Sequence, residues 1–243
     1  MGRFFNREAA VVAAGLLGVS VAAGLVAGFK PWLVAATAAG ALAVLHWPLT
    51  LSFQSWVLER YLERGQLERA LELAIQVRDS SMTRRERNKG CLDVAFVHFA
   101  RGDYEHALQN LTKVTTSSLK SATKAVVEAS IGYALAYLER DLARAEQLVR
   151  SSIAGCPQEP LFGFFLAVVR LKQGRLVEAR DLVQASLQAE PDLKLPHPGE
   201  RPYVLAQTLR GLGDAEGARA QLEKARAMRG RFAQLADREL TVA

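Results

Sequence analysis

Side chains suited to acid–base or metal chemistry are sparse in this chain and scattered along it. The imidazoles are His46, His98, His106 and His197. Their spacings carry no metal-ligand logic: the nearest two, His98 and His106, stand eight residues apart, not at the three- to five-residue separation by which one helix or turn presents two nitrogens to zinc. Cys91 and Cys156 lie 65 residues apart without a CxxC partner, so neither a disulfide framework nor a zinc site is expected, and a reducing compartment suits them. Glu63, Glu68 and Glu72 recur at four or five positions beside arginines, the ordinary pairing of a helix surface. Glu105 and Glu178 read the same way. The glycines are isolated, so no loop cradles a phosphate. Binding rather than catalysis is therefore expected, with no catalytic residue, metal or cofactor.

The charges that could bind are basic and modest in number. The formal charge is +6, of which residues 1–53 supply +2 and the remaining 190 residues +4. A nucleic-acid reader would concentrate more positive charge in one patch, so nucleic acid is not an expected partner. Two clusters stand out, TRRERNK (83–89) and KARAMRGR (224–231). Arg84, Arg85, Arg87 and Lys89 in the first are candidates for lipid headgroup contact, where each cation near an anionic surface contributes about 1 kcal/mol. A solvated helix face is the alternative reading.

A surface for lipid matters because residues 9–53 contain a single charged side chain, Lys30. Ala9–Phe29 is an uncharged run of 21 residues, which as a helix is about 31 Å long and spans a hydrocarbon core. A second apolar run covers 32–53, so residues 1–53 are expected to form a transmembrane helical hairpin. Small residues recur at four-residue spacing, and Gly18, Gly24, Gly28 and Gly40 are candidates for close helix–helix packing in the membrane. The Gly24/Gly28 face also offers a route to a homodimer. Arg3 and Arg7 precede the hairpin and Arg60, Arg64 and Arg69 come after it, which places both ends in the cytoplasm by the positive-inside bias. Trp32, Trp47 and Trp56 lie near the expected boundaries. The competing reading is a cleaved signal peptide, with the second run still an anchor. The expected location is a bacterial cytoplasmic membrane, with the rest of the chain facing the cytoplasm.

Beyond Phe53 apolar residues recur at three and four, the periodicity of helices, and no stretch alternates as a strand does. One signature recurs: RGQLERALELA (64–74), RGDYEHALQNL (101–111), QGRLVEARDLV (173–183) and LGDAEGARAQL (212–222), with a degenerate copy, ERDLARAEQLV (139–149). Its alanines, Ala70, Ala107, Ala145, Ala179 and Ala218, are spaced by 37, 38, 34 and 39 residues. A period of that length built from helix pairs marks a stacking solenoid, since each pair has an apolar face that only its neighbours can cover. These residues resemble the tetratricopeptide repeat (TPR). Gly65, Gly102, Gly174 and Gly213 match the turn glycine, and Leu67, Tyr104 and Leu176 the bulky residue after it. Ala95, Gly132, Ala167 and Ala206 match the small site in the leading helix, and Pro157 and Pro191 the closing proline. The third copy lacks the turn glycine, and EPDLKLPHPGERP (190–202) is an insertion expected to bend the chain. The expected architecture is all-α: a hairpin over 1–53, an α-solenoid of about five TPR-like helix pairs over 54–232, and a capping tail over 233–243.

In the TPR family partner peptides lie along the leading helices. Carried through the register, the resemblance implies a groove lined by Leu92, Phe96, Phe99, Val126, Tyr133, Tyr137, Phe164, Val168 and Leu171. Leu92 and Phe96 occupy sites where a carboxylate clamp needs basic residues or Asn, so a chaperone C-terminus is disfavoured. An apolar peptide or amphipathic helix fits such a lining. The same aromatics serve equally well as packing between neighbouring helices, and the sequence leaves that choice open. The functional expectation is a membrane-anchored scaffold that recruits or assembles a protein complex. The order of elements also resembles the two-span TPR membrane protein associated with bacterial haem-biosynthesis operons, implying an accessory role in that pathway, although this chain is shorter and has almost no loop between its spans.

Overall fold

The computed structural model describes residues 54–189, 197–228 and 230–242. The chain divides into two compact units, Met1–Gln66 and Leu67–Ala243. In the first, residues 54–63 are helical and Gly65 ends the helix with φ +69°, its N–H reaching the Leu62 carbonyl at 3.0 Å. Among the described residues no helix is long and apolar enough to cross a membrane. Both apolar runs, and with them Gly18, Gly24, Gly28 and Gly40, lie outside the described residues.

Among the described residues the second unit is a succession of ten α-helices: α1 (Leu67–Asp79), α2 (Arg84–Arg101), α3 (Tyr104–Thr112), α4 (Ser121–Tyr137), α5 (Leu142–Gly155), α6 (Pro160–Lys172), α7 (Leu176–Ala189), α8 (Glu200–Gly211), α9 (Ala215–Arg226) and α10 (Arg231–Val242). Among the described residues there is no strand. The main contacts are those of a repeat array: α2 with α3, α4 with α5, α6 with α7 and α8 with α9, each leading helix also meeting its predecessor. The last helix, α10, begins at Arg231, two residues before the tail boundary expected at 233.

The repeat motif maps onto backbone chemistry. Gly102 ends α2 in the left-handed region at φ +73°, and the next residue, Asp103, caps α3 by accepting from His106 N–H at 3.2 Å. Asp214 does the same for α9, accepting from Gly217 N–H at 2.8 Å. Gly–Asp is thus a stop joined directly to a start: glycine tolerates positive φ, and the carboxylate satisfies an otherwise orphan amide. In the third copy the turn is one residue longer. Glu139 itself takes the left-handed conformation at φ +53°, and Asp141, at φ +41°, caps α5. α2 starts with a capping box between Thr83 and Glu86.

The register alanines set the spacing between helices. Ala70, Ala107, Ala145 and Ala179 are fully buried and Ala218 is 2% exposed. Gly132 faces Ala145 so closely that a Cβ there would stand 2.7 Å from the Ala145 carbonyl oxygen, which is why α4 carries its smallest residue where α5 crosses. Buried polar groups are matched across helices. Arg170, fully buried, sends Nη1 and Nη2 to the two carboxylate oxygens of Glu146 at 2.5 and 2.6 Å, tying α6 to α5. Gln173 adds a hydrogen bond to the same carboxylate at 3.1 Å. These donors hold the Glu146 carboxyl down to about 2.

Candidate functional site

The face expected to form an open groove is the place to look for function, and the structure fills much of it with the chain's own residues. Tyr133 and Tyr137 stand one turn apart on α4, so their rings project from one face. Tyr104, the first residue of α3, stacks on Tyr137 at 4.2 Å between ring centres. Phe99 meets Tyr133 edge-on at 5.3 Å and Phe165 stacks against it at 4.3 Å. Into this aromatic set comes Glu200, the first residue of α8, whose Oε1 accepts hydrogen bonds from both Tyr133 Oη and Tyr137 Oη.

Glu200 is fully buried, and its second oxygen, Oε2, has no hydrogen-bond partner among the described residues. Burial disfavours the charged form and pushes its carboxyl up to about 7, despite the two tyrosine donors. Burial and the nearby carboxylate also push the Tyr133 and Tyr137 hydroxyls well above the ordinary range. His197, buried just before α8, packs on Phe232 at 5.1 Å and hydrogen-bonds the Phe99 backbone. Burial, reinforced by the Arg231 charge, lowers its imidazole to about 4, so the ring is neutral. Arg231 opens α10. Its Nη1 donates to the Gly102 carbonyl at 2.9 Å and its guanidinium lies over the Tyr104 ring at 5.5 Å. The C-terminal part of the solenoid therefore closes back onto the turn of the second repeat.

The expected groove residues are divided by this closure. Phe99, Tyr133, Phe164 and Val168 are core, each no more than 1% exposed. Of the two readings the sequence leaves open for these four, burial is that of packing between helices, with Phe165 stacked on Tyr133 and Glu200 hydrogen-bonded to it. Leu92, Phe96, Val126, Tyr137 and Leu171 are half-buried, packed against that core with one side to solvent. Arg84, Arg85, Arg87 and Lys89 are all exposed on the first turns of α2, with Lys89 paired to Asp93 at 2.6 Å.

Sequence reasoning misses the roles of Glu200, His197 and Arg231. Glu200 sits in the proline-rich insertion, outside the repeat register, and the one hint of its partners is the i, i+4 pair Tyr133/Tyr137. Sequence spacing also gives no sign that His98 and His106 meet. The turn between α2 and α3 stacks their rings 5.2 Å apart, with Asp103 Oδ2 within 3.2 Å of both Nδ1 atoms.

Comparison with solved structures places this architecture among TPR proteins. A thermophilic TPR protein of Thermus thermophilus superposes with a TM-score of 0.56 at 16% identity, covering 76% of this chain and 94% of that one. The nearly identical TPR-like repeats of a Podosopora anserina kinesin light chain-like protein give 0.50 at 20% identity, covering 74% of this chain and 95% of that one. A single-substitution variant of those repeats gives 0.51, with 20% identity and coverage of 74% and 94%. At such identities the likeness is one of fold. No protein-family model and no curated protein matches the chain.

Proposed function

We propose that this protein is a membrane-tethered protein-interaction scaffold whose TPR-like solenoid holds its partner along the leading helices. The observation that carries the reading is that Leu92 and Phe96, one turn apart on α2, are half-buried against the core with part of each left to solvent, as is Val126 on α4. Such a surface suits one face of a short amphipathic helix, whose apolar side chains lie one turn apart as well. The deeper half of the same face is already filled by Glu200 and its tyrosines, so the partner docks at the rim. Partners come to this chain by analogy with the fold, and the tether rests on the two apolar runs over 9–29 and 32–53 with basic residues on both outer flanks.

The test is site-specific photocrosslinking in cells with the full chain. A crosslinker replacing Phe96 gives a discrete adduct, whereas one replacing Val177, 53% exposed on α7, does not. Equal labelling at both sites, or none at Phe96, refutes the binding strip. Fractionation checks the tether: the full chain stays with membranes through alkaline carbonate washing, and its release would refute anchoring by transmembrane spans.

A further inference from the structure

The turn of the second repeat brings together three side chains that no element of the scaffold reading uses. His98 lies near the end of α2, Asp103 caps α3, and His106 is the third residue of α3. The reversal between the two helices stacks the imidazoles, 18° apart in plane with centres 5.2 Å apart, and one carboxylate lies near the Nδ1 atoms of both. Asp103 Oδ2 lies 3.2 Å from His98 Nδ1 and 2.8 Å from His106 Nδ1. One ligand atom from each of the three residues falls within 4.8 Å of the others. Zinc bonds of 2.0–2.1 Å in a tetrahedral shell put neighbouring ligand atoms about 3.3 Å apart. Both carboxylate-to-imidazole spacings are within about half an ångström of that edge, and the third spacing is no more than 4.8 Å.

Two further features separate this cluster from an ordinary surface ion pair. His98 is 8% exposed, and its Nδ1 is buried with no hydrogen bond among the described residues. A buried nitrogen of that kind is aimed at Asp103 without the alignment of a donor. Asp103 is itself held in place, because its Oδ1 accepts the His106 N–H at 3.2 Å as the cap of α3. His106 is exposed, which leaves one side of the cluster open to solvent for a fourth ligand.

We propose that His98, Asp103 and His106 form a binding site for a divalent transition-metal ion of the zinc type, with water completing the shell. Two imidazoles and one carboxylate match zinc and cobalt better than calcium or magnesium, which take all-oxygen shells. The site belongs to the same turn whose Gly102 carbonyl receives Arg231 and whose Tyr104 ring lies under that guanidinium. A bound ion would therefore stiffen the seat on which α10 docks.

The experiment titrates the tag-free full chain, in nonionic detergent, with Co2+ and monitors the visible absorption of tetrahedral cobalt, then displaces the ion with Zn2+. One equivalent binds saturably, and Zn2+ raises the melting temperature, as any ligand specific for the folded state must. His106→Ala weakens binding at least ~tenfold, since removing even a residue that merely orients a ligand costs that much. His106 is exposed, so this variant keeps its helicity, and circular dichroism verifies it. Asp103→Asn, which retains capping capacity, weakens Co2+ in the same direction. Absence of a saturable cobalt spectrum, unchanged affinity in His106→Ala, or a thiolate-to-cobalt charge-transfer band from Cys91 or Cys156 would each overturn the assignment.

Discussion

Substituting Glu200→Gln tests whether the closure of the solenoid is built on a carboxyl kept neutral by burial. The folded-state value of Glu200 is raised from 4.5 to about 7. A raised carboxyl stabilises the fold fully below pH 4.5, where it is protonated in both states, and that contribution is lost as pH rises through 7. A difference of roughly 2.5 pH units at 1.36 kcal/mol each gives about 3 kcal/mol. His197 works in the opposite direction. Its folded value falls from 6.5 to about 4, so its contribution is present above pH 6.5 and is lost as pH falls through 4. In the parent chain the two slopes oppose one another between pH 4.5 and 6.5, and a single stability curve would hide both. The difference between parent and variant isolates Glu200, because His197 is common to each. Urea unfolding of the full chain in nonionic detergent, monitored by circular dichroism from pH 4.5 to 8, should show Glu200→Gln gaining about 3 kcal/mol relative to the parent across that range. The glutamine keeps an oxygen to accept from Tyr133 and Tyr137, so the tyrosines remain partnered. Parallel curves, with a difference independent of pH, would refute the argument that Glu200 is charged only at a cost.

Two further perturbations address the scaffold itself. Glu146→Gln leaves the fully buried Arg170 without its bidentate carboxylate, with Glu178 3.1 Å from Nε as the remaining anion, and should cost about 3 kcal/mol in urea unfolding at pH 7. Because the Glu146 carboxyl is lowered from 4.5 to about 2, its contribution is present above pH 4.5 and fades as pH falls through 2. The difference between parent and variant should therefore shrink at pH 2, and a constant difference would refute the ion-pair account. Glu139→Gly relieves a left-handed backbone at φ +53° and should stabilise by about 0.5–1 kcal/mol, the left-handed penalty less the entropy of the glycine. A fall in melting temperature would show instead that the 2.7 Å pair of Glu139 with Lys172 outweighs the backbone.

The repeating parts are legible in the amino-acid sequence. The signals sit within a dozen residues: in four of the five copies a glycine that can take positive φ, and in all five an alanine where two backbones must approach. Those signals are local, so Gly102, Gly213 and the five register alanines are legible without any distant contact, whereas the capping roles of Asp103 and Asp214 come from the folded turns. The third turn was legible as irregular, but not that Glu139 would adopt the glycine's conformation. Which aromatics are surface and which are core depends on contacts between distant segments. Tyr133 and Tyr137 meet Glu200 across 67 and 63 residues, and Arg231 reaches Gly102 across 129. These contacts depend on how small rotations at each repeat accumulate, and that sum is written in no single segment. The same holds over a shorter range at the second repeat. His98 and His106 are eight residues apart in the chain, yet the turn stacks their rings 5.2 Å apart beside Asp103, because a sharp reversal turns distance along the sequence into proximity across two helices.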